Sequence, residues 1–108
     1  MKTIYKNATI KGELTDITTE NGKIVSLSKT TENGIDLNGA KVYPGLIDIH
    51  IHGCLGYDYN DNRQDIVAKF LADNGVTSYL ATTSTTSHET LMELTHTPLP
   101  AEGANRVS

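Results

Sequence analysis

The sequence predicts a mixed α/β chain, a small antiparallel β unit followed by parallel β/α units. Three observations carry this. Three Asn-Gly steps fall within the first forty residues. Pro44-Gly45 marks a change of texture, and beyond it the pattern reads strand, helix, strand, helix.

Residues 3–10 alternate weakly and are rich in strand formers. Glu20-Asn21-Gly22 is a turn signal, because Asn and Gly both tolerate positive φ. Lys23-Ile24-Val25-Ser26-Leu27 reads as the returning strand. Asn33-Gly34 precedes Ile35-Asp36-Leu37, and Asn38-Gly39 precedes Lys41-Val42-Tyr43. Strands this short and this polar bury little surface alone and call for a covering partner.

After Pro44-Gly45 comes Leu46-Ile47-Asp48-Ile49-His50-Ile51-His52-Gly53. Residues 58–62 are a cluster of helix-capping types, and Ile66, Val67, Phe70 and Leu71 follow with helical spacing. Gly75 stands where a C-terminal cap belongs. Residues 76–81 read as a second strand. Thr86-Ser87-His88-Glu89 has the capping-box pattern and introduces a short helix through Leu91, Met92 and Leu94. Pro98 and Pro100 stop it, and residues 101–108 read as a loose tail.

Composition narrows the partners. With 9 Lys+Arg against 13 Asp+Glu, the net charge is −4, which offers no footprint for nucleic acid or anionic lipid. Cys54 is the only cysteine, so no intrachain disulfide forms. The N-terminus lacks the apolar run of a secretory signal, and no stretch approaches the roughly 18 apolar residues of a membrane span. A cytoplasmic protein is the expectation.

The chemistry concentrates on the strand before Gly53. Alternation puts Ile47, Ile49 and Ile51 on one face and Asp48, His50 and His52 on the other. Ionisable groups on a central strand would cost several kcal/mol, roughly, if left without partners. A divalent metal is the natural candidate to compensate them, because imidazoles at i and i+2 can converge on one cation. Strand C-terminal ends are also where α/β sheets and barrels place their sites. Two histidines alone are part of a ligand set, and hydrogen bonding at a sheet edge is the competing reading. Asp48 either orients a histidine or bonds nearby backbone. Gly53 and Gly56 either let backbone approach a substrate or shape the turn. Cys54 reads as a small pocket-lining thiol, and His88 and His96 as solvated.

Residues 35–53, from Ile35-Asp36-Leu37 through Pro44-Gly45-Leu46-Ile47-Asp48-Ile49-His50-Ile51-His52-Gly53, resemble the opening of an amidohydrolase-superfamily enzyme. The loop Gly53-Cys54-Leu55-Gly56-Tyr57-Asp58 and the stretch Asn74-Gly75-Val76-Thr77-Ser78-Tyr79-Leu80-Ala81-Thr82-Thr83 narrow the resemblance to the N-acetylglucosamine-6-phosphate deacetylase family. It runs to about Leu94.

The resemblance implies a (β/α)₈ TIM barrel beside a small β-sandwich built from both chain termini. The barrel takes about 250 residues. Residues 1–43 would then be the N-terminal part of the sandwich, and 44–108 the first two β/α units of a truncated barrel. The chain is thus expected to be an N-terminal fragment of a metal-dependent hydrolase. The family removes the N-acetyl group of N-acetylglucosamine 6-phosphate, giving glucosamine 6-phosphate and acetate. His50 and His52 are the implied metal ligands, with zinc first and iron, cobalt or nickel as alternatives. The family's metal-binding glutamate, further histidines and catalytic aspartate have no matching positions, so no catalytic residue is assigned. The expectation is an inactive piece whose open strand edges favour a homo-oligomer. Its alternatives are another amidohydrolase (an N-acetylgalactosamine-6-phosphate deacetylase, a dihydroorotase-like enzyme or a deaminase) or a non-catalytic self-associating module.

Overall fold

The computed structural model describes residues 1–107 and divides into two compact units, Met1–Pro44 and a second from Gly45 on. In the first, β1 (Lys2–Ile10), β2 (Glu13–Glu20), β3 (Lys23–Leu27) and β4 (Ile35–Asp36) form one sheet in the order β3-β2-β1-β4. Lys11-Gly12 and Asn21-Gly22 make its two hairpin turns with positive φ at all four residues, the type I′ geometry that matches strand twist. Asn33-Gly34 works differently. A Cβ on Gly34 would lie 2.4 Å from the Ile4 carbonyl oxygen, so glycine serves close backbone approach there.

The expectation of a purely antiparallel unit is corrected. β4 pairs parallel to β1 through Tyr5↔Ile35 and Lys6↔Asp36, and Lys41 bridges Thr9 in the same sense. The connection after β3 carries the chain to the far edge of β1 without reversing its direction.

Ile4, Ala8 and Ile17 are buried in this unit, and with them a carboxylate, Asp16. The reason lies in β1, whose register with β2 shifts between Tyr5 and Ala8, with Asn7 at φ 55°. The bulge takes the Asn7 amide out of the ladder. Asp16 Oδ1 accepts that amide at 2.9 Å, and Oδ2 accepts the Thr30 amide at 2.9 Å. Lys6 Nζ lies 2.9 Å from Oδ2 and Lys29 Nζ 3.6 Å from Oδ1. The Asn7 and Thr30 amides, then Lys6, hold this carboxyl far below the usual carboxylate range, against the opposing effect of burial.

The second unit opens with β5 (Leu46–Ile51), the two-residue strands β6 (Gly53–Cys54) and β7 (Tyr57–Asp58), and a 3₁₀ turn at Tyr59–Asp61. Helix α1 (Gln64–Asp73), β8 (Val76–Ala81), α2 (His88–His96) and β9 (Asn105–Val107) follow. β5, β8 and β9 form a parallel sheet in that order, so α1 and α2 each cross between neighbouring parallel strands. Val67, Ala68 and Leu71 of α1 and Leu94 of α2 close on Tyr79 of β8, with Tyr59 and Ala104 completing the buried cluster. The periodicity of Val67 and Leu71 predicts this face.

Two expectations are corrected here. The cap of α2 is Ser87, whose Oγ accepts the Thr90 amide at 3.2 Å, one residue beyond the expected Thr86–Glu89 box. Residues 105–107 form β9 where a loose tail was expected, because β8 offers an unpaired parallel edge that three residues can satisfy. Ser108, the end of that expected tail, lies outside the described residues.

Candidate metal centre

The site is built on a break in strand regularity. β5 pairs with β8 through Asp48↔Tyr79 and then Ile51↔Ala81, so β5 carries one residue more than its partner. This bulge ends the simple alternation expected for residues 47–52. Ile51 turns to the helix side and packs against the buried cluster. Ile47 and Ile49 do not form a buried aliphatic face. They are 67% and 73% exposed, because β5 is an edge strand and no described element of its unit covers that side.

The bulge satisfies its own polar group. The His50 amide donates to Asp48 Oδ1 at 3.0 Å. Of the two readings open for Asp48, its contact here is with backbone.

His50 and His52 are brought together. Both are exposed at the C-terminal end of β5, opposite the side that Ile51 packs into. Their Nε2 atoms stand 3.0 Å apart, with ring centroids 4.9 Å apart and ring planes inclined by 63°. Two nitrogens about 2.05 Å from a tetrahedral ion would be about 3.3 Å apart. The separation is close to that of two adjacent positions on one cation. The same distance suits a hydrogen bond between two neutral rings, one donating and one accepting. Among the described residues no cluster of three or more His, Cys, Asp or Glu side chains has metal-binding geometry.

The chain leaves the site through a tight hairpin. β6 and β7 pair through Gly53↔Asp58 and Cys54↔Tyr57, around Leu55-Gly56 with φ 53° and 83°. Gly53 is at φ 142°, and a Cβ there would sit 2.0 Å from the Tyr57 carbonyl oxygen. Glycine at 53 is thus required by the turn. His52, Gly53, Cys54, Gly56, Tyr57 and Asp58 line a shallow, open depression. Burial pushes the Cys54 thiol pKa up, which makes it a poor nucleophile and agrees with its reading as a lining thiol. His88 and His96 are exposed on α2, His96 Nδ1 lying 2.7 Å from the Met92 carbonyl oxygen.

Sequence reasoning missed one group. Asp58 caps the 3₁₀ turn through the Asn60 amide at 2.8 Å, and it also accepts the Ser84 hydroxyl at 3.0 Å. The capping composition of residues 58–62 signalled the turn. Nothing local signalled a partner 26 residues on.

The architecture is similar to parts of two solved hydrolases. The chain superposes on N-acetylglucosamine-6-phosphate deacetylase from Pasteurella multocida with a TM-score of 0.66 at 22% identity, over 98% of this chain and 34% of that one. It superposes on the L-hydantoinase (dihydropyrimidinase) of Arthrobacter aurescens with a TM-score of 0.64 at 26% identity, over 84% and 23%. The class they define is the amidohydrolase type.

Sequence relatives make the likeness more particular: the chain resembles N-acetylglucosamine-6-phosphate deacetylases. The Bacillus subtilis enzyme of that name is 39% identical over 80 residues, which are 71% of this chain and 19% of the relative. The Vibrio furnissii enzyme is 36% identical over 73 residues, 61% and 18%. That of Lysinibacillus sphaericus is 33% identical over 90 residues, 77% and 23%. The chain spans about a fifth of the length of these curated relatives. No protein-family profile matches it.

Proposed function

We propose that this chain carries the opening part of a metal-dependent hydrolase that removes the N-acetyl group of N-acetylglucosamine 6-phosphate, yielding glucosamine 6-phosphate and acetate. On this reading residues 1–43 belong to a small β-sandwich. Residues 44–108 supply the first two β/α units of a TIM barrel, with β5, β8 and β9 as its first three strands. His50 and His52 are ligands of a divalent metal, zinc by preference. The observation that carries the reading is the convergence of their two Nε2 atoms, 3.0 Å apart at a strand C-terminus.

When bound, such an ion supplies Lewis-acid polarisation of an amide carbonyl and a lowered pKa for water. The chain's own residues present and hold the two imidazoles. The bulge at Asp48 to Ile51 sets their side of the sheet, and Gly53 turns the backbone away from them. Catalytic zinc normally has three protein ligands, and the described residues converge only two imidazoles. The 108-residue chain by itself is therefore expected to bind metal weakly and to release no acetate.

Zn²⁺ titration of the chain, His50→Ala and His52→Ala tests the ligand assignment. Each substitution should weaken binding at least about tenfold. Equal affinity in all three would overturn it. Acetate release from N-acetylglucosamine 6-phosphate, by a longer product carrying this sequence and with His50→Ala as its control, tests the reaction. Self-association of the isolated chain is also proposed, since the edge strand β5 exposes Leu46, Ile47 and Ile49 together. Light scattering that finds only monomer at 0.1 mM, roughly a protein-NMR concentration, would remove that part.

A further inference from the structure

The ends of β5 and β8 are tied by more than their ladder. The Thr82 amide donates to the Ile51 carbonyl at 3.0 Å, closing the last rung. One residue on, the His52 carbonyl accepts the Tyr59 amide, which brings the 3₁₀ turn back onto the histidine's own backbone. The turn is closed reciprocally. Asp58 Oδ1 accepts the Asn60 amide at 2.8 Å, and the Asp58 amide donates to Asp61 Oδ2 at 2.9 Å.

What anchors this turn is Ser84, just past β8. Its hydroxyl donates to Asp58 Oδ2 at 3.0 Å, and its carbonyl accepts Asn60 Nδ2 at 3.2 Å. Both oxygens of Asp58 are therefore used, one inside the turn and one across to the segment that follows β8. Three of these contacts are part-buried, where hydrogen bonds hold geometry better than they do in open water. His52 follows the last residue of β5, and beyond it the chain must reverse at Gly53. The Tyr59 amide is the partner that holds the His52 carbonyl there.

We propose that Asp58 is a positioning residue for the His50/His52 centre, acting through its bond to Ser84 and the Tyr59–His52 backbone contact. It touches neither imidazole. It fixes the carbonyl of His52, and so the direction in which that ring leaves the strand. The inference rests on the metal reading above.

The test is Zn²⁺ titration followed by the His50 and His52 ring signals in NMR, at a temperature where each variant's amide spectrum is folded. Asp58→Ala and Ser84→Ala should each raise the Kd about tenfold, the low end for a group that orients a ligand. The double variant should lose little more than Asp58→Ala alone, because Ser84→Ala removes only the Ser84–Asp58 bond that Asp58→Ala has already broken. Asp58→Asn should stay within about threefold, since its carbonyl can still accept the Asn60 amide and its NH₂ can face the Ser84 hydroxyl. Should Asp58→Ala not fold, Ser84→Ala decides.

Unchanged Kd in Asp58→Ala and Ser84→Ala, with binding lost in His52→Ala, would overturn the positioning role and leave the metal reading standing. A loss in Asp58→Asn as large as in Asp58→Ala would also overturn it, in favour of a direct charge effect. Binding that survives both histidine substitutions would remove the metal reading and this inference with it.

Discussion

Each unit contains a β-bulge whose freed amide is taken by an aspartate, and the two aspartates work in opposite settings. In the first unit the Asn7 amide goes to Asp16, which is fully buried and also holds the Thr30 amide and two lysines. In the second the His50 amide goes to Asp48, half-buried and only two residues away. The first bulge is a long-range tie, joining two strands and the loop after β3. The second is a local correction that leaves the neighbouring rings free at a strand end. A bulge tied to a buried charge makes its unit depend on that charge, whereas a bulge satisfied from within can re-aim a side chain at modest cost.

Breaking the tie should have the largest effect. Asp16→Ala leaves the Asn7 and Thr30 amides and Lys6 without their shared acceptor, so β1–β3 should lose cooperative melting and amide protection, measured by hydrogen exchange. The same carboxylate makes the unit acid-sensitive. Its folded pKa is depressed, so its stabilisation is complete above the unfolded value near 3.9 and drains away as pH falls below that. A pH titration of the first unit's amide signals should show that loss. Stability flat from pH 5 down to 2 would contradict it.

Gly53→Ala comes next. Its Cβ would collide with the Tyr57 carbonyl oxygen at a φ that L-residues avoid, at a cost of about 3 kcal/mol in thermal or urea unfolding. Asp48→Ala should be far milder than Asp16→Ala, near 1 kcal/mol by roughly one hydrogen bond's worth. Equal losses from the two aspartates would erase the contrast between the two bulges.

The smallest effect has the opposite sign. Tyr79 is fully buried, its hydroxyl has no hydrogen-bond partner within reach among the described residues, and burial first pushes its pKa up to about 12. Tyr79→Phe removes an unsatisfied group and should be neutral or stabilising by up to about 1 kcal/mol in urea denaturation. In the unsubstituted chain the neutral phenol adds no pH dependence below about pH 10, and stability declines as pH rises from there towards 12, because the unfolded chain ionises more readily than the buried ring. Tyr79→Phe should flatten that alkaline limb.

Much of the architecture was legible in the residues. The Asn21-Gly22 and Asn38-Gly39 steps adopt the positive φ their chemistry favours, and Val76–Ala81 forms the second strand as its composition implies. Val67 and Leu71 face the core as their spacing requires. The Lys11-Gly12 hairpin was not legible, because lysine has no local preference for φ 51° and takes it only where the β1–β2 register demands. β9 was equally silent, since three residues of weak propensity become a strand only beside β8.

The candidate site divides in the same way. His-x-His placed two imidazoles within reach of each other from the sequence alone, since residues two apart on a strand share a side. Whether the rings would meet, which way Ile47 and Ile49 would face, and that Asp58 would find Ser84 were settled by the packed chain. The sequence by itself determined much of the turn chemistry, the helix faces and which side chains make the candidate site, all of which depend on neighbours a few residues away. Tertiary structure alone decided the two bulges, the burial of Asp16 and the clasp at Ser84, because a register shift or a 26-residue hydrogen bond exists only once separate strands are aligned.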